Sequence, residues 1–405
     1  MKSFIGLVVI ASAIGCGTEM LPEEDTGQTQ QAVTGRCDDP DTCVRSNGGG
    51  VYTQELGNAY FGSDRFMITH FINNGLSVTV EGRYWDSTAF NFAVGTAEIV
   101  SAHLDATVGV LPAGDYSIQS VSETLTVPTF TLQTTLNDGT NLSGPVTGVN
   151  LLHLSIAFKR AGYSTISFVR HATDSRTTSG THTTATLHVF DMQWNDGTTV
   201  DLATRQPYCT LAPVGGVADL DWVVFQQGII VNALNGRLNQ NSSYVTLSCR
   251  KGGIATARKW GYVYRGTAAQ ANMFETAIHM KRASYCGDAT FYTRRNTDIF
   301  IRDSATINDD DDPTTGSSAL TFPDADFEAS WGYDSASGTF RALCVNVGNR
   351  RRPGAEWPPP VYGGGNTFNG HCADGTTIPL GTAPGGPGCP LPPTQPMWIA
   401  DQYNP

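Results

Sequence analysis

Short runs in which hydrophobic and polar residues alternate fill most of the chain between residues 51 and 202. A period of two places successive side chains on opposite faces of a strand, and these runs are rich in β-branched and aromatic residues. Turn sequences separate them, including Asn-Asn-Gly at 73–75 and Asn-Asp-Gly at 137–139 and 195–197. Asp-Gly favours a tight hairpin turn because both central residues need positive φ. The pattern predicts a mainly β, antiparallel fold, either a sandwich or a barrel-like sheet.

One stretch near residues 250–286 changes to helical spacing and is bracketed by cysteines. Residues 254–260 predict a short first helix, and two glycines then interrupt the pattern. Thr267 is the expected N-cap of a second helix over residues 268–282, because its hydroxyl can accept from an unpaired backbone N–H of the first turn. The buried face of this helix would contain four residues at helical spacing, Met273, Phe274, Ala277 and Ile278. The sequence therefore predicts one helical hairpin within the β fold.

The first residues resemble an export signal. Residues 1–15 combine Lys2 with an apolar run at 4–13 that is too short to span a bilayer. The run ends in Ser-Ala-Ile-Gly followed directly by Cys16, which resembles the bacterial lipobox. The resemblance implies cleavage before Cys16 and attachment of a lipid to its thiol. The alternative is an ordinary secretory signal that is cut further along the chain.

The chain has nine cysteines, so eight remain if Cys16 is lipidated. An even number in an exported chain predicts four disulfide bonds. Metal ligation would require paired CxxC or Cys/His spacing, which these residues lack, and we expect no metal or other cofactor. The expected disulfide cysteines are Cys37, Cys43, Cys209, Cys249, Cys286, Cys344, Cys372 and Cys389.

The composition narrows the set of partners. The net charge is −12, which disfavours a nucleic-acid binder and electrostatic attraction to anionic lipid. Charged residues make up 15% of the chain, against about 25% in a typical soluble domain. Gly, Ser, Thr and Asn take their place, as is typical of secreted β-rich proteins.

The ends of the chain differ in character from its middle. Residues 16–45 are polar and acidic and predict a tether, in which Cys37 and Cys43 are close enough for a local disulfide. Residues 46–189 form the β-rich part. Residues 348–405 are rich in Pro and Gly and are poorly suited to strands or helices, with Cys372 and Cys389 as an expected local staple.

Motifs of known chemistry are missing from the sequence. We find no nucleophile elbow, no zinc-hydrolase motif and no phosphate-binding loop, so no catalytic residue is assigned. The acidic run at 309–312 lacks the spacing of a calcium loop and is expected to be a solvated surface segment. A hydrolase could still assemble a carboxylate pair across strands, and the possible members are Glu81, Asp86, Asp191 and Glu328. The scattered histidines and tryptophans are expected to be surface or core residues.

The sequence Arg-Ala-Ser-Tyr-Cys-Gly-Asp at 282–288 resembles the signature of the ADYC-domain proteins, with Ser284 where that family has Asp. Trp-Gly-Tyr at 260–262 resembles a second element of the family, and the resemblance covers residues 190–347. It implies a bacterial exported protein and supplies no activity.

Two further cysteines of that family fall at Ala257 and Ala277 here. Their joint absence implies that they are bonded to each other in relatives. This reading implies a Cys249–Cys286 disulfide that closes the helical hairpin, and it leaves Cys209 to pair with Cys344.

The sequence therefore predicts an exported protein of the bacterial cell envelope. We expect a lipid anchor in the outer or inner membrane, or otherwise secretion, and a binding or structural role. The expected partners are the membrane through the anchor and a surface polymer, glycan or protein, but no nucleic acid. The alternative is an extracellular hydrolase of carbohydrate or peptide. The sequence leaves open whether the protein is an enzyme, although the missing motifs favour a protein without activity.

Overall fold

The computed structural model describes residues 66–86, 91–160, 163–176, 185–195, 206–207, 222–232, 235–249, 252–288, 299–303, 327–346, 368–381, 389 and 399–403. Several predictions fall outside these residues: the signal peptide at 1–15, the tether at 16–45, residues 196–197 of the turn at 195–197, the acidic run at 309–312, and Cys16, Cys37, Cys43 and Cys209.

The described part of the chain is mainly β, as predicted, and contains two α-helices and one 3-10 helix. The helices are α1 (Gly253–Lys259) and α2 (Ala268–Arg282), and the 3-10 helix spans Gly148–His153. The strands are β1 (Phe66–Asn73), β2 (Val78–Asp86), β3 (Asn91–Leu104), β4 (Gly114–Thr124), β5 (Val127–Thr135), β6 (Asn141–Thr147), β7 (Leu154–Arg160), β8 (Tyr163–Arg176), β9 (Ala185–Asn195), β10 (Gln206–Pro207), β11 (Trp222–Val231), β12 (Leu238–Cys249), β13 (Ile299–Asp303), β14 (Phe327–Asp334), β15 (Thr339–Asn346), β16 (Leu380–Gly381) and β17 (Ile399–Tyr403).

Twelve strands form one antiparallel sheet in the order β2-β1-β12-β11-β9-β8-β7-β3-β4-β5-β6. The short strand β10 pairs with β9, and β2 also pairs with β3, so the sheet turns back towards its own first strand. The boundary expected between residues 189 and 190 lies inside β9. Strands from both sides of that boundary therefore belong to the same sheet.

The β4–β6 ribbon packs against β1 and β11 and gives this part of the molecule two layers. The rings of Phe71 on β1 and Phe130 on β5 meet edge to face with centroids 5.3 Å apart. The Asn73 side chain donates to the Val121 carbonyl and accepts from the Val121 N–H, both at 2.8 Å. The inward side chains of the ribbon are both apolar and buried, so they form an apolar core between the layers.

Hairpin turns form at 73–75 and 137–139 as predicted, but the positive φ expected at both central residues of the Asp-Gly turn is found only at the glycine and not at Asp138. Gly75 and Gly139 have φ of 81° and 82°, a conformation that glycine adopts without steric cost. At the second turn the Asp138 carboxylate accepts from the Thr140 N–H at 2.9 Å. Local sequence thus determines these turns.

Both predicted helices are confirmed, and the Thr267 hydroxyl caps α2 by accepting from the Gln270 N–H. The four residues expected on the buried face of α2 are buried. Its polar residues Glu275, Thr276, His279, Lys281 and Arg282 are buried as well. Helix α2 is therefore enclosed on all sides over its second half, and not only on the face that was expected to be buried. In the described residues, no helix combines the length and apolar character needed to cross a membrane.

The expectation of a tail without regular structure is wrong. Five strands form a second sheet in the order β13-β17-β14-β15-β16, and the tail supplies both β16 and β17. Strand β17 lies between β13 and β14 and pairs antiparallel with both. The tail is rich in Pro and Gly as a whole, but it contains one short run, Ile-Ala-Asp-Gln-Tyr, that lacks both residues and forms β17.

We predict that deletion of residues 399–405 lowers the free energy of unfolding by at least about 3 kcal/mol, because the backbone hydrogen bonds of β17 to two neighbours contribute about 1 kcal/mol each. Urea unfolding followed by tryptophan fluorescence measures the change. Deletion of only residues 404–405, which follow β17, is the matched control. Equal stability of the two shortened chains would contradict the internal position of β17 between β13 and β14.

Candidate functional site

Helix α2 ends in a left-handed cap that turns the chain into the signature segment. Ala283 has φ of 47°, and its N–H donates to the Met280 carbonyl. The next N–H, of Ser284, donates to the His279 carbonyl at 2.9 Å. The buried Ser284 hydroxyl donates to the Asp288 carbonyl at 3.0 Å and closes a local turn. Ser284, which replaces the Asp of the signature, therefore has a structural role in this chain.

Tyr285 fixes the signature segment in the core. Its hydroxyl donates to the Glu328 carboxylate at 2.7 Å, and both residues are fully buried. Its ring stacks on Trp331, with centroids 5.5 Å apart, and contacts Phe368 at 5.0 Å. Glu328 is thus a hydrogen-bonded core residue.

Gly287 allows the signature to lie directly on β15. A Cβ at this position would be 2.2 Å from the Phe340 carbonyl oxygen, and φ is 64°. The Ala342 N–H donates to the Tyr285 carbonyl at 2.9 Å, which joins the segment to the same strand. A side chain at position 287 would force the segment away from β15.

The disulfide pairs differ from those implied by the resemblance. Cys286 pairs with Cys372 and Cys344 pairs with Cys389, so the implied Cys249–Cys286 and Cys209–Cys344 pairs are wrong. The expected local Cys372–Cys389 staple is wrong for the same reason.

The tail causes this difference, because it returns along β15 and brings its two cysteines to the signature and to the sheet. The Val345 N–H donates to the Pro379 carbonyl at 3.0 Å, and Val345 pairs with Leu380. Cys249 is also disulfide-bonded. All five cysteines of the described residues are therefore oxidised.

A buried ion pair connects the β4–β5 hairpin to α1. The Arg258 guanidinium lies 3.5 Å from the Glu123 carboxylate, and both side chains are almost fully buried. Arg258 also donates to the Gln226 side chain at 2.7 Å. Burial lowers the pKa of Arg258 to about 10, although Glu123 raises it. Sequence reasoning missed this pair, because its partners are far apart along the chain and have no local motif.

The hairpin that carries Glu123 has an unusual backbone. Leu125 and Thr126 have φ of 53° and 67°, values that residues with a Cβ rarely adopt. The Glu123 carboxylate accepts from the Thr126 N–H and, at 3.0 Å, from the Gln227 N–H. These bonds hold the turn in its strained form and attach it to β11.

His279 is fully buried in α2, and neither ring nitrogen has a hydrogen-bond partner. The Glu275 carboxylate lies 3.7 Å from its Nε2 atom. Burial lowers the pKa of His279, an effect that Glu275 opposes and that Arg282 and Arg237 reinforce. The ring is therefore held neutral inside the protein.

Arg341 on β15 is a second buried cation. Its Nε atom lies 3.1 Å from the Asp334 carboxylate and its Nη2 atom 3.5 Å from that of Asp374. The two aspartates lie at the tips of two turns, where each accepts a backbone N–H through its side chain. Arg341 therefore holds the β14–β15 turn and the tail turn next to each other.

Glu81 is the one predicted carboxylate that forms a pair with a histidine in the described residues. Its Oε1 atom lies 3.2 Å from Nδ1 of His70, and this contact lowers the pKa of Glu81. The register aligns Glu81, His70, Thr246 and Gln226 across β2, β1, β12 and β11. The side chains of His70, Thr246 and Gln226 are buried, so the contact with Glu81 lies at one end of a buried polar row.

Two further histidine–aspartate pairs lie at the surface. Nδ1 of His103 is 2.7 Å from Asp115, and Nδ1 of His153 is 2.8 Å from Asp105. Ser155 lies opposite His103 in the register, but its hydroxyl donates to the His103 carbonyl at 3.5 Å. The hydroxyl is thus bonded to the backbone, which is not the arrangement of an activated nucleophile.

The other sequence candidates do not converge. Glu328 lies in the second sheet and Glu81 in the first, while the side chains of Asp86 and Asp191 lie outside the described residues. Trp260 and Trp331 are buried core residues. No three His, Cys, Asp or Glu side chains of the described residues are grouped as metal ligands would be.

The fold and the signature define a class of β-rich, disulfide-bonded proteins in which two sheets enclose a helical hairpin. The family model of the ADYC domain matches residues 148–351, just over half of the chain, and the chain belongs to this family. The match is longer than the stretch 190–347 found from the signature and begins at the 3-10 helix. No curated protein and no solved structure matches the chain.

We predict that Arg258→Met lowers the free energy of unfolding by about 3–5 kcal/mol, because it leaves the Glu123 carboxylate buried without its cation. Chemical denaturation measures the change, and Arg265→Met, at an exposed position, is the matched control. The double variant Glu123→Gln/Arg258→Met should recover part of the loss. Equal effects at positions 258 and 265 would contradict the pair.

We predict that acid destabilises the protein through His279. Its folded pKa is lowered, so below about pH 6.5 the unfolded chain binds a proton that the folded chain does not. Stability is then lost as the pH falls, by up to about 1.4 kcal/mol for each pH unit from this residue. His279→Leu should reduce the slope of unfolding free energy between pH 6.5 and 5, whereas His371→Leu, at the surface, should not. An unchanged slope in His279→Leu would refute the prediction.

Proposed function

We propose that this chain is an exported, lipid-anchored protein of the bacterial cell envelope that acts as a binding module. The oxidation of the described cysteines supports export, because disulfides persist in oxidising compartments. The signal-like residues 1–15 and the lipobox-like Cys16 support the anchor. The net charge of −12 supports a partner other than nucleic acid.

The use of the ionisable groups supports a binding role over a catalytic one, and this observation carries the proposal. Glu328 is bonded to Tyr285, Arg258 to Glu123, and Arg341 lies between two aspartates. Each of these groups takes part in a contact that stabilises the fold. A catalyst needs a reactive group placed beside a base or an acid at an accessible position.

The competing hypothesis is an extracellular hydrolase of carbohydrate or peptide. It would need two carboxylates on either side of a substrate. Glu81 and Glu328 lie in different sheets and have different partners, which weakens this alternative. Turnover of any polysaccharide or peptide by the purified protein would favour it.

We predict that Cys16→Ser moves the protein from the membrane fraction to the soluble fraction of its native cells, because the thiol that carries the lipid is lost. Fractionation and intact mass measure this outcome. In the wild type, we expect a mass that fits cleavage before Cys16 with a diacylglycerol, and eight thiols that react only after reduction. Ser3→Ala, which leaves the lipobox-like residues intact, is the control. Membrane retention of Cys16→Ser, or free thiols in the unreduced protein, would contradict the proposal.

A further inference from the structure

The outer face of the β4–β6 ribbon carries hydroxyl and amide side chains in register across three strands. One row contains Ser117, Gln133 and Ser143, and the next contains Ser120, Thr131 and Pro145. A third contains Ser122, Thr129 and Thr147. Thr135 and Asn141 extend the face at its far end. All of these residues are exposed or half-exposed, and none carries a charge.

The ribbon holds these groups on a rigid support. Its opposite face is anchored in the core by Ile118, Val121, Phe130, Leu132 and Val146, all of which are buried. Several outer side chains also bond to one another, since Thr129 donates to Thr147 at 3.0 Å and Thr135 to Asn141 at 2.7 Å. The side chains are short, so ordering them on a ligand costs little conformational entropy.

Charge and chemistry restrict the ligand of this face. A nucleic acid or another anionic polymer requires cations, which the face lacks. A protein partner requires an apolar or aromatic centre, and Pro145 is the only apolar residue in the rows. Each hydroxyl or amide can both donate and accept, which matches the hydroxyl groups of a neutral sugar.

The polar side chains of the face are also regularly spaced. Strands lie about 4.8 Å apart and residues on one face recur about every 6.8 Å along a strand, so the side chains form a regular grid. Weak contacts repeated along a polymer combine into a much stronger overall attachment. We propose that the outer face of β4–β6 binds a neutral polysaccharide chain, a proposal that rests on the binding role proposed above.

This face belongs to the part of the chain that precedes the family match. Strands β4–β6 end at Thr147, and the matched region begins at residue 148. The matched region contains the helices and the signature, and the ribbon contacts it through the sheet and through the Glu123–Arg258 ion pair.

The experiment uses the purified, oxidised protein with three insoluble neutral polysaccharides: cellulose, chitin and curdlan. Sedimentation and repeated washing give the bound fraction of the wild type and of Thr131→Lys and Thr131→Glu. Thr131 is central to the face. We therefore expect both variants to weaken the apparent affinity about five- to tenfold on any polymer that retains the wild type. This change corresponds to the loss of about one hydrogen bond. A similar loss with either charge is the result expected for a neutral ligand.

Thr79→Lys and Thr79→Glu are the matched controls. Thr79 is an exposed threonine of β2 on the side of the strand that faces away from the ribbon, and both controls should bind as the wild type does. Circular dichroism checks that all four variants are folded.

Three results would overturn the assignment. Stronger binding by Thr131→Lys together with weaker binding by Thr131→Glu would identify an anionic ligand. Wild-type binding by both Thr131 variants would place the site elsewhere and leave the binding role intact. Retention of the wild type on none of the three polymers would remove the polysaccharide as ligand, whereas the envelope location is decided separately by Cys16→Ser.

Discussion

The close contact of Gly287 with β15 is the constraint on which the ADYC region depends. The backbone of the signature must lie against the Phe340 carbonyl, and only a residue without Cβ permits this approach at φ of 64°. The contact places Tyr285 beside Glu328 and Trp331, and Cys286 beside Cys372. The signature is therefore a structural junction between α2, the second sheet and the tail.

Ion pairs of buried arginines are a second constraint on the fold. Arg258 with Glu123 and Arg341 with its two aspartates connect elements that are distant in sequence. The Arg258–Glu123 pair lost much of its hydration on folding, so its contribution to net stability is small, but removal of one partner is costly. Such pairs favour one arrangement of the elements over others that bury the same apolar surface. In this chain they fix how the β4–β5 hairpin meets α1 and how the tail turn meets β15.

The sequence predicted those features that depend on neighbours along the chain. The turns at 73–75 and 137–139 follow from Asx-Gly chemistry, and the start of α2 follows from the Thr267 cap. The disulfide pairs could not be predicted in this way, because 86 residues separate Cys286 from Cys372 and spacing contains no information about how the tail returns. The enclosure of α2 was also missed, since Lys281 and Arg282 have the chemistry of a solvent-facing last turn. The hydroxyl face required the register of three strands, which hydrophobic periodicity alone does not determine.

The position of β17 has a consequence for how the protein is made. A sheet in which an internal strand spans Ile399–Tyr403 cannot be completed on a ribosome that has not yet synthesised those residues. Strands β13 and β14 therefore leave the ribosome with unsatisfied edges, and such edges are prone to pairing with other chains. The second sheet can therefore be completed only at a late stage, after β17 has been synthesised and placed between two strands made about 100 and 70 residues earlier.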